Sequence, residues 1–103
     1  MEFKRAKVEK ILPVECGTSE RGDWKSQSIV VCEELPVPYP DRVRIDFRGD
    51  KVDQLRDIHE GDVVHVVWTS GVTERTMMKD GREVHFMSGY HRGHLIERVI
   101  HNS

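Results

Sequence analysis

Residues Arg44–Trp68 change their hydrophobic period twice, and this restricts the fold more than any other feature of the chain. In "DRVRIDFR" the apolar positions alternate: Val43, Ile45 and Phe47 share one face, and Arg42, Arg44, Asp46 and Arg48 share the other. "DKVDQLRDI" then spaces Val52, Leu55 and Ile58 by three, as a short amphipathic helix does. Asp50 suits its N-cap, Asp53 its first turn, and Gly61 its end. Alternation returns in "DVVHVVWTS", where Val64, Val66 and Trp68 line one face. A helix of about three turns is not stable alone, so its apolar stripe must lie on a structure the strands build.

The flanking segments supply those strands. "FKRAKVEKILPV" has no helical cap and ends at Pro13, which predicts a long first strand with Val8 facing inward. "WKSQSIVVCEE" predicts a second strand, rich in β-branched residues toward its end. Between them, "ECGTSERGD" is dense in turn formers and predicts a mobile hairpin loop. The prolines of "LPVPYP" exclude a central strand. "GVTERTMMKDGRE" predicts a second long hairpin loop with "KDG" as its turn, and "VHFMSGYHRGHLIERVI" a final strand broken near Ser88–Gly89 and Gly93.

The order is three strands, a helix and two strands. That is the order of the OB-fold, an all-β, five-stranded Greek-key barrel with one short helix between strands three and four. The chain of 103 residues has room for one such domain. The barrel is expected over about 3–92, followed by a C-terminal segment of about 93–103. That segment carries Leu95, Ile96, Val99 and Ile100, which suit docking on the barrel or on a partner.

"KVEKILPVECGTSERGDWKSQ", "YPDRVRIDFRGDKVD" and "HEGDVVHV" together resemble a family of small OB-fold proteins of Bacteroidetes and their phages. "FRGDKVDQLRDIHEGDVVHV" is also similar to the junction of strands three and four in bacterial single-stranded DNA-binding proteins. Primosomal replication protein B is a further relative of that barrel. The resemblance covers most of residues 6–68 and implies an OB-fold. By analogy it implies either single-stranded nucleic-acid binding or a protein-binding and dimerising module. One departure stands out. Where single-stranded DNA-binding proteins carry aromatics on strand three, this chain has Arg42, Arg44 and Arg48.

Those arginines form the candidate nucleic-acid strip, because guanidinium groups pair with phosphates and stack on bases. Asp46, Glu33 and Glu34 are the candidate neutralising partners. Trp24 and Lys25 at the first hairpin, and Lys79 and Arg82 beside the second, complete the expected binding set, with Arg21 and Arg75 nearby. Tyr90 is the aromatic of the last strand best suited to exposure, and Trp68 belongs in the core. Net charge is −2, and loop cations lie among Glu20, Glu74, Asp80 and Glu83, so any affinity must come from local charge. His85, His91 and His94 lack the cysteine or carboxylate spacing of a zinc site, and no metal or other cofactor is expected. No nucleophile–base pair or phosphate loop points to catalysis. Cys16 and Cys32 read as free thiols in a cytoplasmic protein, with no membrane span. Two functions follow as expectations: binding single-stranded nucleic acid, DNA before RNA, or serving as an interaction or oligomerisation module, with a homodimer favoured.

Overall fold

Alternating apolar side chains on five strands close around one core. The computed structural model describes residues 1–38 and 40–99. Its strands are β1 (Glu2–Ile11), β2 (Glu15–Ser19), β3 (Gly22–Glu33), β4 (Arg42–Arg48), β5 (Val63–Lys79) and β6 (Arg82–Arg98). A 3₁₀ helix, Gly49–Leu55, lies between β4 and β5. The sheet runs β1-β5-β6-β4-β3-β2, and a further β1–β3 pairing closes β1, β3, β4, β6 and β5 into a ring. This is the expected OB-fold barrel. The sixth strand, β2, lies outside the ring against the distal part of β3.

β1 closes the barrel because it pairs on both sides. Residues Ala6–Ile11 pair with β3 and Glu2–Lys7 with β5, with irregular register at Phe3/Ala6 and at Val8/Lys10. Bulges of this kind bend a strand enough to serve two neighbours. The Val8 backbone is completed by the "HEGD" turn: its N–H donates to Asp62 O at 2.9 Å, and its O accepts from Gly61 N at 2.8 Å.

Val8, Ile29, Val31, Ile45, Phe47, Val64 and Val66 are fully buried, and Phe3 meets Trp68 edge-on at 4.7 Å. Phe47 needs a gap in the opposite strand, and Gly93 leaves it. A Cβ at Gly93 would stand 2.5 Å from two Phe47 ring carbons. β4 and β6 share only one register pair, the parallel Asp46↔Arg92. Beyond it the helix fills the gap. Gln54 Nε2 donates to His94 O at 3.2 Å, and its Oε1 accepts from Ile96 N at 3.2 Å, which satisfies the strand edge that β4 leaves open.

The helix is 3₁₀ rather than α-helical, and this suits its sequence. A spacing of three puts side chains in line in a 3₁₀ turn. Val52, Leu55 and the following Ile58 are all buried. Its N-cap position is Arg48, with no side-chain cap, and Asp50 lies inside the first turn instead of capping it. The helix stops at Leu55, and Gly61 serves the turn into β5.

Three further expectations are corrected. The "loop" ECGTSERGD is mostly the β2–β3 ladder, Glu15↔Ser26 through Ser19↔Gly22. The second "loop" is also a ladder, unbroken from Thr69↔Arg92 to Lys79↔Arg82, and Ser88–Gly89 does not interrupt it. Asp80 and Gly81, with φ of 51° and 76°, make the two-residue turn at its tip. Two positive φ values match the right-handed twist of paired strands. The only shift in this pairing lies at Val67/Trp68, opposite Gly93–Leu95. Lastly, Gly93–Arg98 belong to barrel strand β6, with Ile96 in the core, rather than to a separate terminal segment. The expectation for Ile100 lies outside the described residues.

Candidate nucleic-acid interface

The outer face of β3–β4 is built by the parity that buries Ile45 and Phe47. Arg42, Arg44, Asp46 and Arg48 point outward, opposite Cys32, Val30, Ser28 and Ser26 of β3. Of the acids expected to meet these arginines, Asp46 does so, and Glu9 takes the place of Glu33 and Glu34. Arg42 Nε lies 3.0 Å from Glu9 of β1, and Arg44 Nε lies 3.6 Å from Asp46. Glu34 pairs instead with Arg5, and Glu33 lies opposite Ala6. Ser28 Oγ donates to Asp46 and accepts from Arg44 Nη2. Arg48, the arginine directly before the helix, makes no ion pair among the described residues.

Arg48 borders a groove of about 870 Å³ formed where β4 leaves β3. Trp24, Ser26 and Lys25 of β3, Glu15 and Cys16 of β2, and Gly49–Asp50 form its other walls. Trp24 is 47% exposed, and its ring lies across Gly17, its register partner. Lys25 is less available. Its Nζ donates to Asp53 of the helix at 2.8 Å, and that bond holds the Asp53 carboxyl below the usual range. A smaller concavity of about 280 Å³ adjoins the groove along Ser26, Ser28 and Arg44.

The predicted cations Lys79 and Arg82 do not fold back over this groove. They face each other at the tip of the β5–β6 ribbon, at the opposite end of the molecule from Trp24. Ten register steps separate them from the Thr69↔Arg92 row, roughly 33 Å. The ribbon nevertheless joins the strip. Arg92 is the register partner of Asp46 on β4, and every second residue from there to the tip shares its face.

That face holds Arg92, Tyr90, Arg75, Phe86, Lys79 and Arg82, and no acid. Arg92 Cζ stands 4.9 Å over the Tyr90 ring, and Tyr90 covers Gly71 opposite it. Phe86 is 45% exposed. The other ribbon face carries Glu74 and Glu83, with Val72, Met78, Met87, His85 and His91, and no Lys or Arg. Charges that look balanced along the sequence are therefore sorted by the ladder onto two faces. Arg92 and Phe86 carry no local signal of this role. The signal is the "KDG" turn, because a two-residue turn fixes every pair by counting outward from Lys79 and Arg82.

His85, His91 and His94 have separate partners. His91 Nδ1 lies 2.7 Å from Ser70 Oγ, His94 lies between Thr69 and Lys51, and His85 lies 3.9 Å from Glu74. Among the described residues no three His, Cys, Asp or Glu side chains gather as a metal-ligating group. Cys16 is exposed, Cys32 half-buried, and both are free. Among the described residues no helix is long and apolar enough to cross a membrane.

No curated protein matches this sequence. A family model does, over residues 4–88, and it extends beyond the segment that carries the sequence resemblance to take in most of the ribbon. With most of its length matched, the chain belongs to the family described as a domain of unknown function, DUF3127.

Proposed function

We propose that the protein is a non-catalytic module that binds single-stranded nucleic acid along its outer surface. The observation that carries this reading is the sorting of charge on the ribbon. Arg92, Arg75, Lys79 and Arg82 share a face with Tyr90 and Phe86, and that face continues the β4 strip. Cations spaced along a strand grip a phosphate backbone, and aromatic rings between them stack on bases. The path runs from Trp24 and Arg48 at the groove, past Arg92 and Tyr90, to Lys79 and Arg82. The similarity of the β4–helix junction to single-stranded DNA-binding proteins supports the same reading. The rings that those proteins carry on the barrel strand are here on the ribbon.

Such contacts address phosphates and base faces, so the affinity is modest, tolerant of sequence and weakened by salt. Fluorescence anisotropy of a labelled oligothymidine at low salt tests it. Binding in the micromolar range is expected. No binding with tens of micromolar protein removes the proposal.

A further inference from the structure

The inner face of the ribbon takes no part in the proposed nucleic-acid path. It continues the parity of Val64, Val66 and Trp68, but it has run beyond the core. Met78 is 71% exposed, Met87 72% and Val72 59%. A two-stranded ribbon exposed on both faces is only marginally stable in water. The outer face also exposes Met77 and Phe86, but among cations; on the inner face no Lys or Arg stands among Val72, Met78 and Met87, and such an apolar group marks an interaction surface. We propose that this surface pairs with the same surface of a second copy of the chain, in a two-fold symmetric dimer.

The two ends of the face carry groups that can pair with each other. From base to tip its rows are Ser70–His91, Val72–Gly89, Glu74–Met87, Thr76–His85 and Met78–Glu83. When two copies stack base to tip about an axis through the Glu74–Met87 row, Met87 meets Met87 and Glu74 meets Glu74, each glutamate with His85 of its own copy 3.9 Å away. Each Met78–Glu83 row then covers the Ser70–His91 row of the other copy. His91 spends Nδ1 on Ser70 Oγ at 2.7 Å, which leaves Nε2 for a carboxylate, and Glu83 has no partner among the described residues. Glu83 and His91 are thus brought together at both ends of the pair. The two-fold operator closes the assembly at two, whereas stacking inner face on outer face would continue without limit.

The size of the face sets the strength. Two strands and about nine register steps give a surface roughly 10 Å wide and 30 Å long. Pairing two such faces buries less than about 1,200 Å² in total, the low end for specific interfaces, so the dimer is concentration-dependent. It leaves Arg75, Lys79, Arg82 and Arg92 on the outside.

Sedimentation of the full chain from about 5 to 300 µM tests this. A monomer–dimer equilibrium is expected. Met87→Glu and, independently, Met78→Glu raise its dissociation constant at least roughly tenfold. Phe86→Glu, on the outer face, leaves it unchanged. Circular dichroism checks that each variant is folded. A chain that stays monomeric throughout, assemblies larger than a dimer, or a dimer indifferent to both methionine substitutions overturns the proposal.

Discussion

The barrel and the ribbon share strands β5 and β6, yet alternation serves different ends in each. Up to Trp68, every second residue of β5 is buried and its neighbours face outward. Beyond Trp68 no residue of β5 is buried, and the two faces differ in charge instead. In the barrel, alternation separates apolar from polar residues and so specifies a core. In the ribbon it separates cations from anions and so specifies two surfaces. The first pattern makes the fold, and the second gives the molecule a direction in which to bind.

Removing one ring from each region should have very different effects. Phe47→Ala, in the barrel, empties a fully buried site and is expected to lower stability by about 3–5 kcal/mol. Phe86→Ala, on the ribbon, is expected to change it by no more than about 0.5 kcal/mol. Chemical denaturation measures both. Gly93→Ala belongs with the barrel. Its new methyl meets the Phe47 ring and is expected to cost about 1–3 kcal/mol by overpacking.

A smaller effect comes from the outer wall of the barrel. His65 of β5 lies 2.8 Å from Glu2 of β1 and 3.3 Å from Glu97 of β6. Hydrogen bonds to Glu2 and then Glu97 raise the His65 pKa above its ordinary value. The protonated ring therefore stabilises the fold. That contribution is fully present below about pH 6.5, the ordinary value, and is lost as pH rises through the raised folded value. Denaturation midpoints followed upward from pH 6 are expected to fall for the wild type and to fall less for His65→Gln. An unchanged pH profile in the variant would show that the two carboxylates do not act through His65.

The barrel was legible in the sequence because its signals are local and redundant. Val43, Ile45 and Phe47 alternate, Val52, Leu55 and Ile58 recur by three, and all are buried or packed against the core as their spacing predicts. Of the ribbon, the β6 half was legible as strand from Val84 on, whereas the β5 half from Gly71 to Lys79 was read as loop, because neither of its faces meets a core and polar residues interrupt its alternation. The same reason hid β2, whose residues Glu15–Ser19 are polar or small and mostly exposed. The candidate site was half legible. Arg44 and Arg48 follow from parity, and Lys79 and Arg82 from composition. Their connection depends on two registers: the Asp80–Gly81 turn sets the β5–β6 pairs, but the Asp46↔Arg92 contact joins strands far apart in sequence and is set only by the closed barrel. Lys25 shows the limit of composition: its charge is held by Asp53, on a helix that sequence places near it only through the fold.

Salt probes the outer face directly. If Arg48, Arg75, Lys79, Arg82 and Arg92 each neutralise one phosphate, log K falls with log salt at a slope of about −3 to −4. Removing Arg75 is expected to make the slope shallower by about 0.7. A slope indifferent to Arg75 would put the contacts elsewhere.

The most direct test compares two variants of equal net charge in the oligothymidine titration at low salt. Arg75→Glu with Arg82→Glu reverses charge on the ribbon's outer face, and Lys4→Glu with Arg98→Glu makes the same change off the path. The ribbon variant is expected to weaken binding at least about tenfold, and the control by no more than about threefold. Equal weakening by both would mean that binding follows net charge alone, and would contradict a site built by the sorting of charge across the β5–β6 ladder.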